Sequence, residues 1–188
     1  MQLILQQAGP VEMVSMLRSG EADIAIATDA LEGIVEFVTF PYHSWHHTAI
    51  VPAGHPLEEK KTLTVAEIAE YPIITYSEGH TGRSRVDAAF AKVGQVPNIV
   101  MAALDADVIR AYVELGLGIG ILASIAFDAE RDRGLRQLPT SHLFEVNTSR
   151  IAVRRGSFLR GYTCRFIGLC VPTLSEAQIR AAVLTNAK

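Results

Sequence analysis

Short apolar segments alternate with helical segments along this chain, and that alternation restricts the fold to an α/β class. Residues 3–7 and 22–27 are predicted as strands, and Pro10–Ser19 between them as a helix that begins at a proline and ends before Gly20. A strand–helix–strand unit with so short a crossover implies parallel strands. The near-continuous apolar run from Ile24 to Ala27 is typical of a strand covered on both faces.

The same alternation continues to the end of the chain. A capping box, Thr64 with Glu67, predicts a short helix that Pro72 ends. Further strands are predicted at residues 36–40, 48–51, 73–76, 99–103, 119–123, 134–138 and 146–153, and further helices at residues 83–93, 105–115 and in two segments after residue 158. The chain is therefore a series of strands and helices throughout.

Two crossings between groups of elements predict a two-lobed organisation. The segment 41–44 has the character of a linker, and the strand at 146–153 has room to return to the first group. We predict lobe I at residues 1–42 with 146–188, and lobe II at residues 43–145. A cleft between two α/β lobes is a frequent small-molecule site, because closure can bury a ligand while each lobe stays rigid.

The composition excludes several classes of protein. A chain of 188 residues with 49% hydrophobic side chains can bury a sizeable core, which excludes intrinsic disorder. A net charge of −3 lacks the basic excess that DNA binding by this chain itself would need. The longest apolar stretch, residues 115–127, has about 13 residues and is shorter than the roughly 20 that cross a bilayer. No secretory signal follows Met1, so we expect a cytoplasmic location and no membrane contact.

Cysteines and histidines give no sign of a metal site. Cys164 and Cys170 match neither a redox pair nor a zinc cluster, so we expect reduced thiols that pack inside a helix. His43, His46 and His47 lie close together, but no acidic or cysteine ligand completes a recognised pattern. We therefore predict solvated or capping histidines, with no metal and no cofactor.

The strongest local signal for a ligand is the sequence Thr81-Gly82-Arg83-Ser84, which follows a predicted strand and opens a predicted helix. Free backbone N–H groups and the helix dipole favour an anion at such a position, and the Thr81 hydroxyl can add a hydrogen bond. A simple N-cap role for Thr81 fits its residue preference equally well. Thr28, at the carboxyl end of a strand in the other lobe, would face the same cleft.

Trp45 is the only tryptophan and follows the first predicted crossing. Two interpretations stay open: the indole lines the cleft with its N–H available to a ligand, or it packs in a core or at the hinge. Two threonine hydroxyls and one helix N-terminus suit sulfate, a carboxylate or a small acetylated amino acid better than a bulky apolar ligand.

Signatures of catalysis are missing from the sequence. It contains no GxSxG elbow, and no motif places a serine, a histidine and an acid together. The glycine-rich segment 116–120 runs from a helix into a strand, which is opposite to the order of a dinucleotide loop, so we predict a helix C-cap and a tight turn. Arg154, Arg155 and Arg160 are interpreted as a solvated surface or a subunit contact.

Several segments closely resemble the effector-binding domain of LysR-type transcriptional regulators. They are residues 25–28 (AIAT), 54–57 (GHPL), Tyr76 with 81–84 (TGRS), 105–109 (DADVI), 116–120 (GLGIG) and 154–160 (RRGSFLR). The resemblance extends from Gln2 to about Leu184, and it is strongest to the CysB/Cbl branch, which controls sulfur assimilation and cysteine synthesis.

The resemblance implies a periplasmic-binding-protein-like fold of type 2, with two Rossmann-like lobes joined by two crossover strands and without the first strand of lobe I. It implies that Thr28, Trp45, Thr81 and Gly82 contact an anionic effector in the interlobe cleft, either sulfate, O-acetylserine or N-acetylserine. It also implies homodimers, tetramers of the full-length protein, and DNA binding only through a winged helix-turn-helix domain that is absent from this chain.

We therefore predict a non-catalytic sensor domain that modulates transcription of sulfur-assimilation genes. A solute-binding protein for transport of a small anion is the alternative, because it shares the fold and the cleft. An enzyme on the same scaffold is a third hypothesis, since a fold does not determine function.

Overall fold

A computed structural model of the chain describes residues 3–28, 31 and 33–185, which fall into two compact α/β units. One unit comprises Met1–Ser44 with Thr148–Lys188, and the other comprises Trp45–Asn147. The elements are, in chain order, α1 (Pro10–Ser19), β1 (Ala25–Ala27), β2 (Phe37–Trp45), β3 (His47–Pro52), α2 (Val65–Ala69), β4 (Ile73–Tyr76), α3 (Arg83–Lys92), β5 (Ile99–Ala103), α4 (Ala106–Glu114), β6 (Ile119–Ala123), β7 (Leu135–Gln137), β8 (Asn147–Arg154), α5 (Gly161–Cys170) and α6 (Glu176–Leu184).

The first unit is built on a three-stranded sheet in the order β1-β8-β2. Successive side chains of β8 point to opposite faces, so each face of the sheet acquires its own core. Ile151 and Val153 pack with buried side chains of α5 and α6, whereas Ala152 packs with Leu17 of α1. Cys164 is buried and both cysteines of α5 are free thiols packed in this core, which confirms their predicted packing role.

The amino-terminal strand–helix–strand unit predicted from the sequence is wrong, although α1 itself and its end at the left-handed Gly20 are confirmed. Residues 3–7 form no strand, and the Leu5 side chain is 84% exposed. Strand β1 has three residues and pairs antiparallel with β8, with Ala25 opposite Ala152. Ile26 is 43% exposed, so this strand is not covered on both faces.

The predicted linker at residues 41–44 is also wrong, because β2 continues through it to Trp45. Proline cannot donate a ladder hydrogen bond, and it is tolerated in a strand at the edge of a sheet. In the described part of the chain, β2 lies at such an edge, so Pro41 does not end the strand.

The second unit is built on a five-stranded mixed sheet in the order β5-β4-β6-β3-β7. Strand β4 runs parallel to β5 and β6, and β3 runs antiparallel to β6 and β7. Helices α2 and α3 cover one face, where Ile68 and Phe90 join the core, and α4 covers the other face with Ile109 and Val113. All residues of β4 and β6 are buried, as expected for strands covered on both faces.

Local signals place the helix ends of the second unit as the sequence predicts. The Thr64 hydroxyl accepts a hydrogen bond from the Glu67 amide, and the Glu67 carboxylate accepts one from the Thr64 amide. The Asp105 side chain caps α4 by accepting from the Val108 amide. Gly116, with φ of 77°, lies at the end of α4, which confirms the predicted C-cap and turn. No helix among the described residues has the length and apolar character needed to span a membrane.

Replacing Gly120 by alanine should strongly destabilise the second unit. A Cβ atom at Gly120 would lie 2.7 Å from Ile50 Cγ1 and 2.8 Å from Val113 Cγ2. Overpacking of this kind costs about 1–3 kcal/mol. Urea denaturation should show a lower midpoint for Gly120→Ala. Gly161→Ala is the matched control, since its Cβ has no neighbour within 4 Å; an equal loss in both variants would contradict the packing described here.

Candidate functional site

The turn that leads from β4 into α3 has two consecutive residues in the left-handed region. Thr81 has φ of 43° and Gly82 has φ of 64°. A β-branched residue rarely adopts this conformation, which costs of order 1–3 kcal/mol unless its surroundings hold it there. The N-cap residue of α3 is Gly82 and has no side-chain cap. The N-cap interpretation of Thr81 is therefore wrong.

Backbone donors at this turn are left available for a ligand. The Arg83 amide donates to the His80 carbonyl and the Arg85 amide donates to the Gly82 carbonyl, each at 2.9 Å. Within the described residues, the amides of Thr81, Gly82 and Ser84 and the Thr81 hydroxyl have no hydrogen-bond partner. These donors lie at the start of α3, where the helix dipole favours negative charge.

Three side chains form a hydrogen-bonded chain that ends at the Thr81 carbonyl. Arg85 Nε donates to Asn147 Oδ1 at 2.9 Å. The Asn147 amide nitrogen lies 3.2 Å from His47 Nδ1, and His47 Nε2 lies 3.0 Å from the carbonyl oxygen of Thr81. His47 and Asn147 are fully buried, so each polar atom needs the partner that it has. We call this set the Arg85–Asn147–His47 relay.

The chemistry of the partners fixes every proton in the relay. Arginine can only donate, so Asn147 Oδ1 faces Arg85 and its nitrogen faces His47. A carbonyl can only accept, so His47 carries its proton on Nε2 and accepts at Nδ1. Burial, mainly, lowers the pKa of His47 to about 4, with the nearby charge of Arg85 acting in the same direction. His47 is therefore a neutral Nε2–H tautomer near pH 7.

Gly82 packs so closely on this relay that no other residue fits. A Cβ at this position would lie 2.1 Å from Asn147 Oδ1 and 3.2 Å from His47 Cε1. The positive φ adds a second reason for glycine. The relay can therefore form only beside a turn that has glycine at position 82.

Trp45 is 4% exposed and packs its indole against the buried histidine. The Trp45 and His47 ring centroids are 5.0 Å apart in an edge-on arrangement, and Phe144 and Tyr76 complete the aromatic surround of His47. The structure therefore connects Trp45, Thr81 and Gly82 through His47. Thr28, which follows β1, is half-buried and belongs to the other unit, so its part in a common site stays a prediction.

Arg83 is engaged inside the second unit. Its side chain is almost fully buried, donates from Nη1 to the Tyr76 carbonyl at 2.7 Å, and pairs through Nε with Asp87 at 2.8 Å. These bonds fasten the first turn of α3 to the end of β4. Arg83 is therefore a structural residue that supports the Thr81 turn from within the second unit.

The roles of His47, Asn147 and Arg85 are not predicted by any motif of the sequence. The prediction of a solvated or capping histidine is wrong for His47, which is fully buried. Its position directly before the predicted strand 48–51, which contains the apolar run 49–51, is a signal for burial, although the neighbouring histidines suggest solvent exposure. No group of three potential metal ligands occurs among residues 3–28, 31 and 33–185.

Comparison with known families identifies the class of protein. The chain matches the model of the LysR substrate binding domain over residues 1–175, and it belongs to this family. The HTH-type transcriptional regulator SsuR of Burkholderia cenocepacia is 52% identical over 94% of this chain and 58% of that regulator. CysB of the same organism and Cbl of Escherichia coli K12 are 46% and 43% identical, each over 99% of this chain and 59% of the relative. The chain thus spans about three-fifths of the length of these curated relatives, which are named as transcriptional regulators and not as enzymes.

Solved structures agree with this assignment. The cofactor-binding domain of the Cbl transcriptional regulator has a TM-score of 0.91 and 44% identity over 95% of this chain and 78% of that one. The effector binding domain of QuiR, solved in complex with shikimate, has a TM-score of 0.77 at 17% identity over 89% of this chain and 78% of that one, and it shows the fold alone. The predicted periplasmic-binding-protein-like fold of type 2 is confirmed.

The stability of the protein should fall between pH 6.5 and pH 4 because of His47. The unfolded chain takes up a proton on this residue near pH 6.5, whereas the folded state takes it up only near pH 4. The unfolded state binds more protons in this window, so the contribution is fully present above pH 6.5 and is lost as the pH falls, by about 3 kcal/mol in total.

Urea denaturation from pH 7 to pH 4 measures this effect. His47→Gln should flatten the dependence of the unfolding free energy on pH, because the titrating group is removed. His43→Gln, which replaces an exposed histidine, is the control and should keep the wild-type slope. A wild-type slope in His47→Gln would contradict the assignment.

Proposed function

We propose that this chain is the effector-sensing domain of a transcriptional regulator of sulfur assimilation and cysteine synthesis. It binds a small anionic effector, either sulfate, O-acetylserine or N-acetylserine, at the Thr81–Gly82 turn. Thr81 and Gly82 donate hydrogen bonds to the anion, Trp45 supports the turn through His47, and Thr28 is a further predicted contact.

The observation that carries this proposal is the set of unpartnered donors at the turn, described above. Backbone amides and a hydroxyl at the start of a helix suit oxygen atoms that bear negative charge. All three candidate effectors offer such a group, a sulfate or a carboxylate. The names of the relatives SsuR, CysB and Cbl support the assignment to a regulator rather than to transport.

The proposed role needs no chemistry on the effector. Binding shifts an equilibrium between two arrangements of the protein, and the shift can be no larger than the difference in affinity for them, typically about 1–3 kcal/mol. The full-length protein reads this shift through a separate DNA-binding domain in the cytoplasm, as a homodimer or a tetramer.

Calorimetric titration with each of the three effectors, in sulfate-free buffer, tests this function. Thr81→Ala should weaken binding by roughly 1–3 kcal/mol, the cost of leaving one polar contact of the anion unmade. Thr62→Ala removes the same atoms from an exposed threonine of the same unit and should bind like the wild type. Thr28→Ala tests the other predicted contact separately.

Equal affinities for the wild type and Thr81→Ala would exclude the Thr81 hydroxyl as a contact of the anion. Absence of binding by the folded wild-type chain to any of the three compounds would reject the effector assignment.

A further inference from the structure

We propose that Arg85, Asn147 and His47 are positioning residues for effector binding: the relay holds the Thr81–Gly82 peptide in its left-handed conformation and strengthens the N–H group that this peptide offers to the anion. The inference rests on the proposed function and adds to it the residues that prepare the site.

The atoms of one peptide group link the relay to the ligand position. The carbonyl of Thr81, which accepts from His47 Nε2, and the N–H of Gly82 belong to the same planar unit. A hydrogen bond at the oxygen polarises the unit and makes its N–H a better donor, by about 10–30% per bond in condensed phase. The Gly82 amide is one of the unpartnered donors of the turn. The relay therefore acts on the group that would meet the anion.

The charged end of the relay has a second partner, the carboxylate of Glu145. Arg85 Nη1 lies 3.6 Å from Glu145 Oε2, and Lys92 Nζ donates to the other oxygen of Glu145. All hydrogen bonds of the relay point in the same direction. Arg85 donates to Asn147, Asn147 donates to His47, and His47 donates to the Thr81 carbonyl. Dipoles aligned in this way reinforce one another. The positive charge of Arg85 thus contributes to the turn through two neutral buried side chains.

The conformation of the turn depends on the same contacts. Thr81 lies in a backbone region that costs free energy for a β-branched residue. The ring N–H of His47 donates a hydrogen bond to the Thr81 carbonyl and so stabilises this conformation. Asn147 Oδ1 occupies the space in which a Cβ of residue 82 would lie. A ligand site prepared in this way loses less entropy on binding.

Two substitutions of His47 separate the links of the relay. The side-chain nitrogen of glutamine can occupy the position of Nε2, so His47→Gln keeps the donor to Thr81. The side-chain oxygen of asparagine can occupy the position of Nδ1, so His47→Asn keeps the acceptor for Asn147 and loses the donor to Thr81. Both variants remove the ring that packs on Trp45, which makes them matched controls for packing.

We expect His47→Gln to bind the effector within about threefold of the wild type, and His47→Asn to bind it about tenfold more weakly. Residual dipolar couplings of the Thr81 and Gly82 amides, measured without ligand, should keep their wild-type values in His47→Gln and change in His47→Asn. This readout does not depend on which effector is correct.

Nitrogen NMR of the His47 ring tests the direction of the relay. At neutral pH the wild type should show an unprotonated Nδ1 and a protonated Nε2. In Asn147→Asp the carboxylate has no proton to donate, so Nδ1 should become protonated and donate to it. A role for Asn147 in packing alone would leave the tautomer unchanged, and an unchanged tautomer would overturn the relay.

The outcomes distinguish this inference from the proposed function. Loss of binding in Thr81→Ala together with wild-type affinity and couplings in His47→Asn would leave the site intact and overturn the positioning role. Equal binding by the wild type and Thr81→Ala would reject the Thr81 hydroxyl as a contact of the anion. The dipolar couplings would then decide the structural role: changed couplings in His47→Asn support the relay, and unchanged couplings overturn it.

Discussion

The cost of burying polar side chains controls the arrangement of this site. A buried imidazole and a buried carboxamide each lose their water, and each would destabilise the fold by several kcal/mol without new partners. His47 and Asn147 recover these interactions from each other, from Arg85 and from the backbone of Thr81. This hydrogen-bonded arrangement is possible only because Gly82 has no side chain. The requirement that the buried polar atoms of His47 and Asn147 form hydrogen bonds thus determines the conformation of the Thr81–Gly82 turn, the tautomer of His47 and the need for glycine at position 82.

The elements of the second unit could be predicted because their signals are local. The capping box at Thr64, the cap at Asp105 and the fully apolar β4 and β6 each act within a few residues, and the structure has them where the sequence indicates. The errors lie in the first unit, where partners are distant. The partner of Ala25 is Ala152, and no pattern within residues 22–27 shows that this partner runs antiparallel. Pro41 was misread because its effect depends on whether a strand lies at an edge, which is a property of the sheet.

The candidate site divides in the same way. Thr81 and Gly82 belong to a short motif, so both the local sequence pattern and the family resemblance predict them as site residues. His47 and Asn147 are 100 positions apart, and their contact depends on the fold of the whole unit. His47 was also misinterpreted because histidines beside it suggested solvent, whereas the apolar run after it places it inside the sheet. Arg85 could not be predicted because an arginine in a surface helix is usually exposed, and nothing in the sequence shows that its Nε is bonded to a buried amide.

Under the proposed function, the neutrality of His47 affects which anions bind at the turn. A protonated histidine beside the turn would attract any anion over a distance of about a Debye length, roughly 8–10 Å, with little dependence on its shape. Because the pKa of His47 is lowered to about 4, the turn instead presents oriented N–H dipoles near pH 7. The effect of such dipoles is confined to the first turn of the helix and requires acceptor atoms at hydrogen-bonding distance. In the proposed function, an anion whose oxygens meet these donors is therefore favoured over one of equal charge whose oxygens do not.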